Sequence, residues 1–454
     1  MSSPRTSQIA VARLVGRVAR MRGSGGTSAP GRVLLRMSPG AVRALAARLP
    51  QGCAVVSATN GKTTTATMAA GVLSAAGLDV VHNATGANMA GGIASTLLDA
   101  THGDEIQGDI GLFEVDEAWL DRLVGELSPR AIALSNLFRD QLDRYGELET
   151  LADSWAHAAA ESPARLVLNA DDPLVAYLGA GRPDALYFGI EDPAAAAPGL
   201  GHAVDAGHCR RCGAPLAFDV VYLGHLGHYR CPACGLERPR PTVTARAIEL
   251  RGVAGASFTL DTGERSERVD LALPGLYNVY NALAAAALAL ALDVDPPAIA
   301  AGLRDARPAF GRAERLVLSG GREVRILLIK NPVGASEVAR TLSLEPGTLQ
   351  LLAVLNDRIA DGRDVSWVWD ADFELLAGHV AHAVCAGTRA ADMATRLQYA
   401  GVAADAIEVI PDIAAALDAA VARGDGTLFA LPTYTAMLDL RALLASRGEV
   451  ESQW

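Results

Sequence analysis

The stretch CAVVSATNGKTTTATMAAGVLSAAGL, Cys53 to Leu78, constrains this chain more than any other. Cys53 to Val56 reads as a short apolar strand, Ser57 to Lys62 as a small turn-forming loop, and Thr63 to Ala76 has helical composition. A strand that passes through a glycine-lysine-threonine loop into a helix makes a phosphate cradle, because backbone N–H groups and the helix N-terminus then face the phosphate oxygens. In such a cradle Lys62 neutralises the outer phosphate charge and the Thr63 hydroxyl ligates Mg²⁺. The spacing departs from the full G-x-x-x-x-G-K-[ST], since Val56 stands at the first glycine position, and a chance strand-turn-helix is the competing reading.

Mg²⁺ prefers oxygen ligands, so a carboxylate at the end of a neighbouring strand should help hold it. DIGLFEVDEAWL offers one: the apolar strand Ile110 to Phe113 is followed by Glu114, Asp116 and Glu117. Strand and helix patterns keep alternating through RAIALSNLFRDQLDRYGE and ARLVLNADDP, the rhythm of a mostly parallel sheet with helices on both faces. The chain has 454 residues, which is too long for one compact core. Its net charge of −11 argues against a nucleic-acid binder. The longest purely apolar run, Ala282 to Leu292, is shorter than the ~20 residues a bilayer span needs.

The acids are unevenly spread, with none in residues 1–78. There Arg13, Arg17 and Arg20 share one helical face, as on a helix resting on an anionic membrane surface or one packed on the body with a solvated basic side. The packed form is the plainer expectation. No secretory signal is visible, so the chain is read as cytoplasmic, with contact to the inner face of the membrane left to this basic segment.

CRRC (209–212) and CPAC (231–234) give C-x₂-C-x₁₈-C-x₂-C. Glycines follow each pair, at Gly213 and Gly235, and the segment between them can form a hairpin. Cys209, Cys212, Cys231 and Cys234 suit a closed tetrahedral Zn²⁺ site without an open position for chemistry, with disulfides as the competing reading. The ribbon is therefore structural. His208, His225 and His228 lie nearby in sequence and are expected at the surface, because four sulfurs already saturate the ion. Cys53 and Cys385 stand alone in apolar surroundings and read as core residues.

With these pieces in view, the sequence resembles the Mur ligase family, ATP-dependent enzymes of cell-wall peptide synthesis. Their nucleotide loop reads G-T-N-G-K-[ST]-T; here it is ATNGKTTT, with Ala58 for the first glycine. LNADDP (168–173), PGLYNVYNALAAAA (274–287) and FGRAER (310–315) look like further family blocks. The resemblance implies that Thr59, Asn60, Gly61, Lys62, Thr63 and Thr64 hold ATP, that Asn281 meets the adenine, and that Glu114 completes the Mg²⁺ site with Thr63. It also implies an α/β fold: a Mur-ligase-like P-loop ATPase domain with an inserted four-cysteine zinc ribbon, plus a smaller C-terminal α/β domain.

Ordinary members of that family carry no such ribbon. HNATGANMAGGI (82–93), NLFRDQLDRYGE (136–147), KNPVGA (330–335), NDRIADGRDVSWVWDADFE (356–374) and PTYTAM (432–437) narrow the likeness to the family's amidating branch, the synthetase subunits of lipid II isoglutaminyl synthase. That likeness implies ATP-dependent amidation of the α-carboxylate of D-glutamate in the lipid II stem peptide. The carboxylate is first turned into an acyl phosphate, and ammonia comes from a separate GatD-like glutaminase. A cysteine–histidine glutaminase works best when a carboxylate orients its imidazole. Residue reading alone does not choose among Asp357, Asp361 and Asp364 for that role, and each reads equally well as a turn or capping aspartate. The resemblance places the role on Asp364. This chain shows no glutaminase of its own, since His82, His157, His379 and His382 form no evident constellation with Cys53 or Cys385.

Two other functions fit parts of the pattern: a stand-alone ligase adding an amino acid to a wall precursor or folate-like acceptor, and a non-enzymatic ATP-gated binding module built on the ribbon. The expected organisation is a basic N-terminal segment (1–50), a central ATP-binding domain (51–317) with the ribbon inserted at about 205–238, and a C-terminal domain (318–454). ATP is expected between the two larger domains, with Lys330 and Asn331 near the cleft.

Overall fold

The computed structural model describes residues 4–21, 28–84, 87–103, 105–140, 148–199, 205–307 and 313–450. Parts of three sequence blocks fall outside the described residues (85–86, 141–147 and 310–312), as do Arg22 and the side chain of Arg20.

β1 (Cys53–Ser57) and β2 (Val80–His82) are followed by a small hairpin of β3 (Thr101–His102) and β4 (Glu105–Ile106). β5 (Ile110–Glu114), β6 (Ala131–Leu134), β7 (Arg165–Asn169) and β8 (Leu186–Ile190) come next. The ribbon hairpin β9 (Ala217–Leu223) with β10 (Leu226–Arg230) leads to β11 (Val243–Leu250), β12 (Ala256–Asp261) and β13 (Ser266–Leu271). Among the described residues nine strands form one sheet in the order β13-β12-β11-β8-β7-β6-β1-β5-β2. It is parallel from β2 to β11 and antiparallel beyond. All five residues of β1 and of β5 are buried, as expected of parallel strands covered on both faces. The chain leaves β1 towards β2 and β5 on one side and reaches β6 on the other. β1 is therefore a topological switch point, and a crevice opens beyond its carboxyl end.

Helices cover both faces. The alanine-rich helix Leu276–Ala291 is buried along nearly its whole length, packed between the sheet and the helix Lys62–Ala75. Small side chains let those backbones approach closely. On the other face, the helices Thr6–Met21, Ala29–Met37 and Ala41–Ala46 bury Ile9, Ala12, Leu34, Val42 and Leu45 in a second core layer. Arg13 donates to the carbonyls of Leu98 and Thr101, at the end of the helix Ala90–Ala100. A cation is favourable there, against the negative end of the helix. The basic N-terminal segment is thus packed on the body through Arg13, while Val11 and Leu14 face outward. No helix among the described residues is long and apolar enough to cross a membrane.

A second sheet of six strands is built from β14 (Glu314–Val317), β15 (Glu323–Ile326), β16 (Leu349–Val354), β17 (Val380–Ala386), β18 (Ile407–Val409) and β19 (Leu428–Pro432). Its order is β14-β15-β19-β16-β17-β18, parallel except for the β14–β15 pair, with apolar clusters on both faces. Its first strand starts at Glu314, a few residues ahead of 318.

Candidate active site

The loop after β1 enters the helix Lys62–Ala75 through Gly61, whose φ of 85° is left-handed. A Cβ on Gly61 would lie 2.1 Å from Asn281 Oδ1, so both conformation and space require glycine. Asn136, just past β6, clamps the loop: its Oδ1 accepts from Asn60 N–H at 2.9 Å and its Nδ2 donates to the Asn60 carbonyl at 2.9 Å. Thr59 N–H donates to the Asn136 carbonyl at 3.0 Å, and Phe138 N–H donates to Thr59 Oγ1 at 3.1 Å. The loop's shape is thereby fixed by hydrogen bonds within the protein itself. Thr64 is buried, whereas Thr63 lies half-exposed at the helix start.

Lys62 points back over the loop, donating to the Ala58 carbonyl at 3.2 Å and pairing with Glu117 at 2.9 Å. Burial alone would lower its ammonium, but Glu117, Glu114 and Asp116 outweigh that and raise it to about 12. Burial likewise opposes ionisation of Glu117, and Lys62 and Lys330 overcome it, so its carboxyl lies below the ordinary value. Lys62 is thus held as a cation. Glu114 ends β5 directly beside Val56 of β1 and is 1% exposed. Asn88 donates to its Oε1 at 3.2 Å, while its Oε2 is buried without a partner among the described residues. A buried carboxylate oxygen without a partner is costly unless a cation completes it, and with the Thr63 hydroxyl it offers the hard oxygen donors that Mg²⁺ takes. His82 lies close to Glu114, but burial pushes its imidazole below the ordinary value, so it is read as a neutral neighbour.

A pocket opens from the loop between the two sheets, lined by Asn60, Gly61, Thr64, Asn281, Tyr277 and Phe138 on one side and Lys330, Val333 and Glu337 on the other. Asn281 lies beneath Gly61, accepting from Thr65 Oγ1 at 3.2 Å and donating to Asn278 Oδ1 at 3.0 Å. Lys330 Nζ donates to Asp140 at 2.6 Å and to the Thr59 carbonyl at 3.2 Å. Asn331 pairs with Asn60 side chain to side chain at 2.8 Å, and its own Oδ1 caps the helix Pro332–Ser343. The second sheet therefore meets the cradle through Lys330 and Asn331. Asn136 and Asp140 both fall in the NLFRDQLDRYGE block, whose likeness was legible in the sequence but assigned no role to either residue.

Cys209, Cys212, Cys231 and Cys234 converge, with all four Sγ atoms within 4.8 Å of one another. Cys209 and Cys234 are 3.6 Å apart and Cys212 and Cys231 3.5 Å, close to the edge of a tetrahedron with Zn–S bonds of about 2.3 Å. The donor set fits zinc. Burial opposes ionisation at Cys231, but the N–H groups of Cys234 and Ala233 outweigh it and bring the thiol down to about 6.

The hairpin beyond the knuckles is more than a spacer. Its tip is buried, and Leu223 and Leu226 line the pocket between the two sheets. His225 is fully buried, not at the surface, because the tip inserts between Phe138, 4.7 Å away centroid to centroid, and Asp172, 3.4 Å from its Nε2. His228 is half-buried, with its Nε2 2.9 Å from the Ile190 carbonyl, and His208 is exposed. Arg238, where the ribbon ends, pairs with Asp171 at 2.6 Å and Glu191 at 2.7 Å. From the second sheet's side, Arg340 donates to the Tyr222 carbonyl at 2.9 Å. Asp171 and Asp172 of the LNADDP block are thus docking residues for the ribbon.

The acidic loop lies on the second sheet's surface, away from the pocket lining. Asp361 is buried, accepting from Thr435 N–H at 2.7 Å and from the Thr435 hydroxyl. Asp357 accepts from Thr388 Oγ1 at 2.8 Å. Asp364 is exposed; its Oδ1 accepts from Ser366 N–H at 2.8 Å, and the backbone and side-chain bonds from Ser366 hold its carboxyl below the ordinary value. Cys53 and Cys385 are buried, and burial pushes both thiols up to about 12, as core residues rather than nucleophiles.

Residues 56–205 match the Mur ligase middle domain and residues 328–437 the MurT ligase C-terminal domain. The chain is 34% identical over 432 residues to the lipid II isoglutaminyl synthase (glutamine-hydrolyzing) subunit MurT of Streptococcus pneumoniae, covering 94% of each. Its identity to the same-named subunit of Staphylococcus aureus is 32% over 437 residues, covering 94% of this chain and 95% of the other. Among solved structures, a pseudomurein peptide ligase type C from Methanothermus fervidus superposes with a TM-score of 0.68 at 23% identity, over 91% of this chain and 83% of the other.

Proposed function

This chain belongs to the MurT family of ATP-dependent Mur ligases, and from that premise we propose that it amidates the α-carboxylate of D-glutamate in the lipid II stem peptide, giving D-isoglutamine. A carboxylate cannot expel oxide, so one of its oxygens first attacks the γ-phosphorus of ATP; the bond to the β,γ-bridging oxygen breaks and ADP leaves. Ammonia then attacks the acyl carbon, inorganic phosphate departs, and the surplus proton passes to solvent.

One observation carries this reading: Lys62, held as a cation beside Glu117 over a cradle preshaped by Asn136, next to the unpartnered oxygen of Glu114. Lys62 and the loop amides would stabilise charge on the transferring phosphoryl group. Thr63 and Glu114 would hold Mg²⁺, which supplies further charge neutralisation at the phosphates. In this reading Thr59, Asn60, Gly61 and Thr64 complete the cradle and Asn281 meets the adenine.

Ammonia in neutral water is mostly ammonium and has no lone pair to attack with, so it must be made nearby. We assign its production to a GatD-like glutaminase on a separate chain, and the orientation of that enzyme's histidine to Asp364. The exposed, ionised carboxylate of Asp364 supports this, because Asp361 and Asp357 are already engaged within the fold. The acceptor is lipid-borne, so the pair would work at the inner face of the membrane. Lys62→Ala should lower amidation by at least about a thousand-fold, in line with loss of a principal charge stabiliser, while co-purification with the glutaminase persists. Amidation retained by that variant would refute the cradle's role.

A further inference from the structure

The wall of the pocket between the two sheets holds one acid that the reaction as described does not use. Glu337 lies on the helix Pro332–Ser343, on the face that also turns Val333, Gly334 and Val338 into the pocket. That helix starts at the phosphate loop, where Asn331 pairs with Asn60. Glu337 follows six residues later, so at about 1.5 Å per residue it stands roughly 9 Å along the axis from that contact. It is placed for the base end of a nucleotide, beyond the phosphates.

Its surroundings are apolar. Leu223, Leu226, Leu273, Leu327 and Leu328 line the same pocket, a setting that suits an aromatic ring oriented by few polar groups. Glu337 is 6% exposed, and Thr341 Oγ1, at 2.8 Å, donates to its backbone carbonyl rather than to its carboxyl. Arg340 comes no closer than 3.8 Å, and that guanidinium donates to the carbonyls of Tyr222 and Ala195, each at 2.9 Å.

The other charged groups nearby are engaged or of like sign. Asp372 stands just ahead of the turn Phe373–Leu376 that packs on this helix. Of the other segments packed there, Gly252–Ala254 carries no titratable side chain, and Asp370 of Ser366–Asp370 lies 3.7 Å from Arg139. Elsewhere on the pocket wall Lys330 is paired with Asp140 at 2.6 Å and the Tyr280 hydroxyl donates to Asp171 at 2.7 Å, with Tyr277 beside them. Burial therefore prevails over Arg340, with Asp372 assisting, and raises the Glu337 carboxyl to about 7.

A protonated carboxyl shows an O–H donor beside a carbonyl acceptor, the same pair of groups with which a Gln or Asn amide binds adenine. Ionised, it has acceptors only, and then suits the ring N–H and amino group of guanine instead. Asn281 has its oxygen engaged by Thr65 and its nitrogen by Asn278, which limits what it can read of the base. We infer that the Glu337 carboxyl, as donor and acceptor together, reads the edge of the adenine, accepting from the exocyclic amine and donating to the neighbouring ring nitrogen, and so selects adenine over guanine. The inference rests on nucleotide binding in this pocket and names the residue that chooses the base.

The sign of the pH dependence follows. The adenine-reading form is the protonated one, so the preference is full below about 7 and fades as pH rises through that value. The test titrates the full chain calorimetrically with ADP and with GDP, each with Mg²⁺, at pH 6 and pH 8.5, in wild type and Glu337→Gln. Phosphate ionisation is common to both nucleotides and cancels in the ratio of their affinities. In wild type the ADP-to-GDP ratio should fall by at least about five-fold between the two pH values, the scale of one hydrogen bond. In Glu337→Gln, whose amide keeps a donor and an acceptor at either pH, the ratio should stay near the wild-type value at pH 6. A wild-type ratio that does not change with pH would overturn the inference, as would an equal fall in the Gln variant. ADP bound with a flat ratio removes Glu337 alone, whereas a chain that binds neither nucleotide removes the nucleotide reading as well, so the two failures are distinguishable.

Discussion

At the scale of single residues, charge is handled in two opposite ways at Lys62, behind the loop, and at Glu337, in the pocket wall. Lys62 is buried but surrounded by carboxylates, and remains a cation. Glu337 is buried in an apolar wall with Arg340 no closer than 3.8 Å, and burial raises its carboxyl to about 7, with Asp372 adding to the rise and Arg340 opposing it. A folded-state value above the ordinary 4.5 means that the folded chain holds a proton the unfolded chain has released. Stability from this group is therefore complete below about 4.5 and is lost as pH rises through about 7, on the order of 3 kcal/mol in all. Glu337→Gln should flatten that part of the pH profile and gain stability at pH 8 relative to wild type. Urea unfolding at pH 5, 6.5 and 8 checks it; parallel profiles would count against the buried acid. Asp364 stands at the other extreme, since its exposure means that Asp364→Asn should leave this chain's melting temperature within about 1 °C. Glutamine hydrolysis by the complex should nevertheless fall by at least about a hundred-fold, as expected when the group orienting a catalytic imidazole is lost. Hydrolysis at the wild-type rate would remove Asp364 from the mechanism.

At the scale of elements, the four-cysteine ribbon is the part whose sequence meaning and structural meaning differ most. Four cysteines at that spacing announce a metal knuckle, because the knuckle is local chemistry. Where the hairpin beyond it goes depends on contacts with Phe138, Asp171 and Asp172, far away in the chain, and no periodicity in LAFDVVYLGHLGHYR encodes them. His225 shows the consequence: near four sulfurs in sequence it reads as surplus, whereas in the fold its ring fills the joint. Because Leu223 and Leu226 wall the pocket proposed to hold the nucleotide, metal loss should reach further than the ribbon. Stripping zinc with a chelator, or Cys231→Ser, should lower the melting temperature and also weaken ADP binding by at least about five-fold, on the order of 1 kcal/mol. Calorimetry on metal-free and zinc-reloaded protein reads both effects. ADP affinity indifferent to zinc would make the hairpin a bystander. The strand, loop and helix from Cys53 to Ala75 were legible for the opposite reason: they are contiguous, so Gly61, Lys62 and Thr63 carry their own geometry.

At the scale of the whole molecule, two sheets meet across one cleft. The Lys330–Asp140 and Asn331–Asn60 contacts bring the second sheet onto the phosphate loop, and Arg340 ties it to the ribbon. The alternation of strands and helices made both α/β bodies readable from sequence, since period and run length are local signals. Their meeting was not readable beyond the placing of Lys330 and Asn331 near the cleft, because it rests on pairs about 190 and 271 residues apart. In the proposed reaction, all of this would serve activation of a carboxylate by ATP. The most direct test starts from acceptor labelled with ¹⁸O in both oxygens of the target carboxylate, amidated with ATP, glutamine and the glutaminase, and then weighs the inorganic phosphate released. The acyl-phosphate route predicts one ¹⁸O atom in each phosphate, matched to the amide formed; amide produced alongside unlabelled phosphate would contradict it.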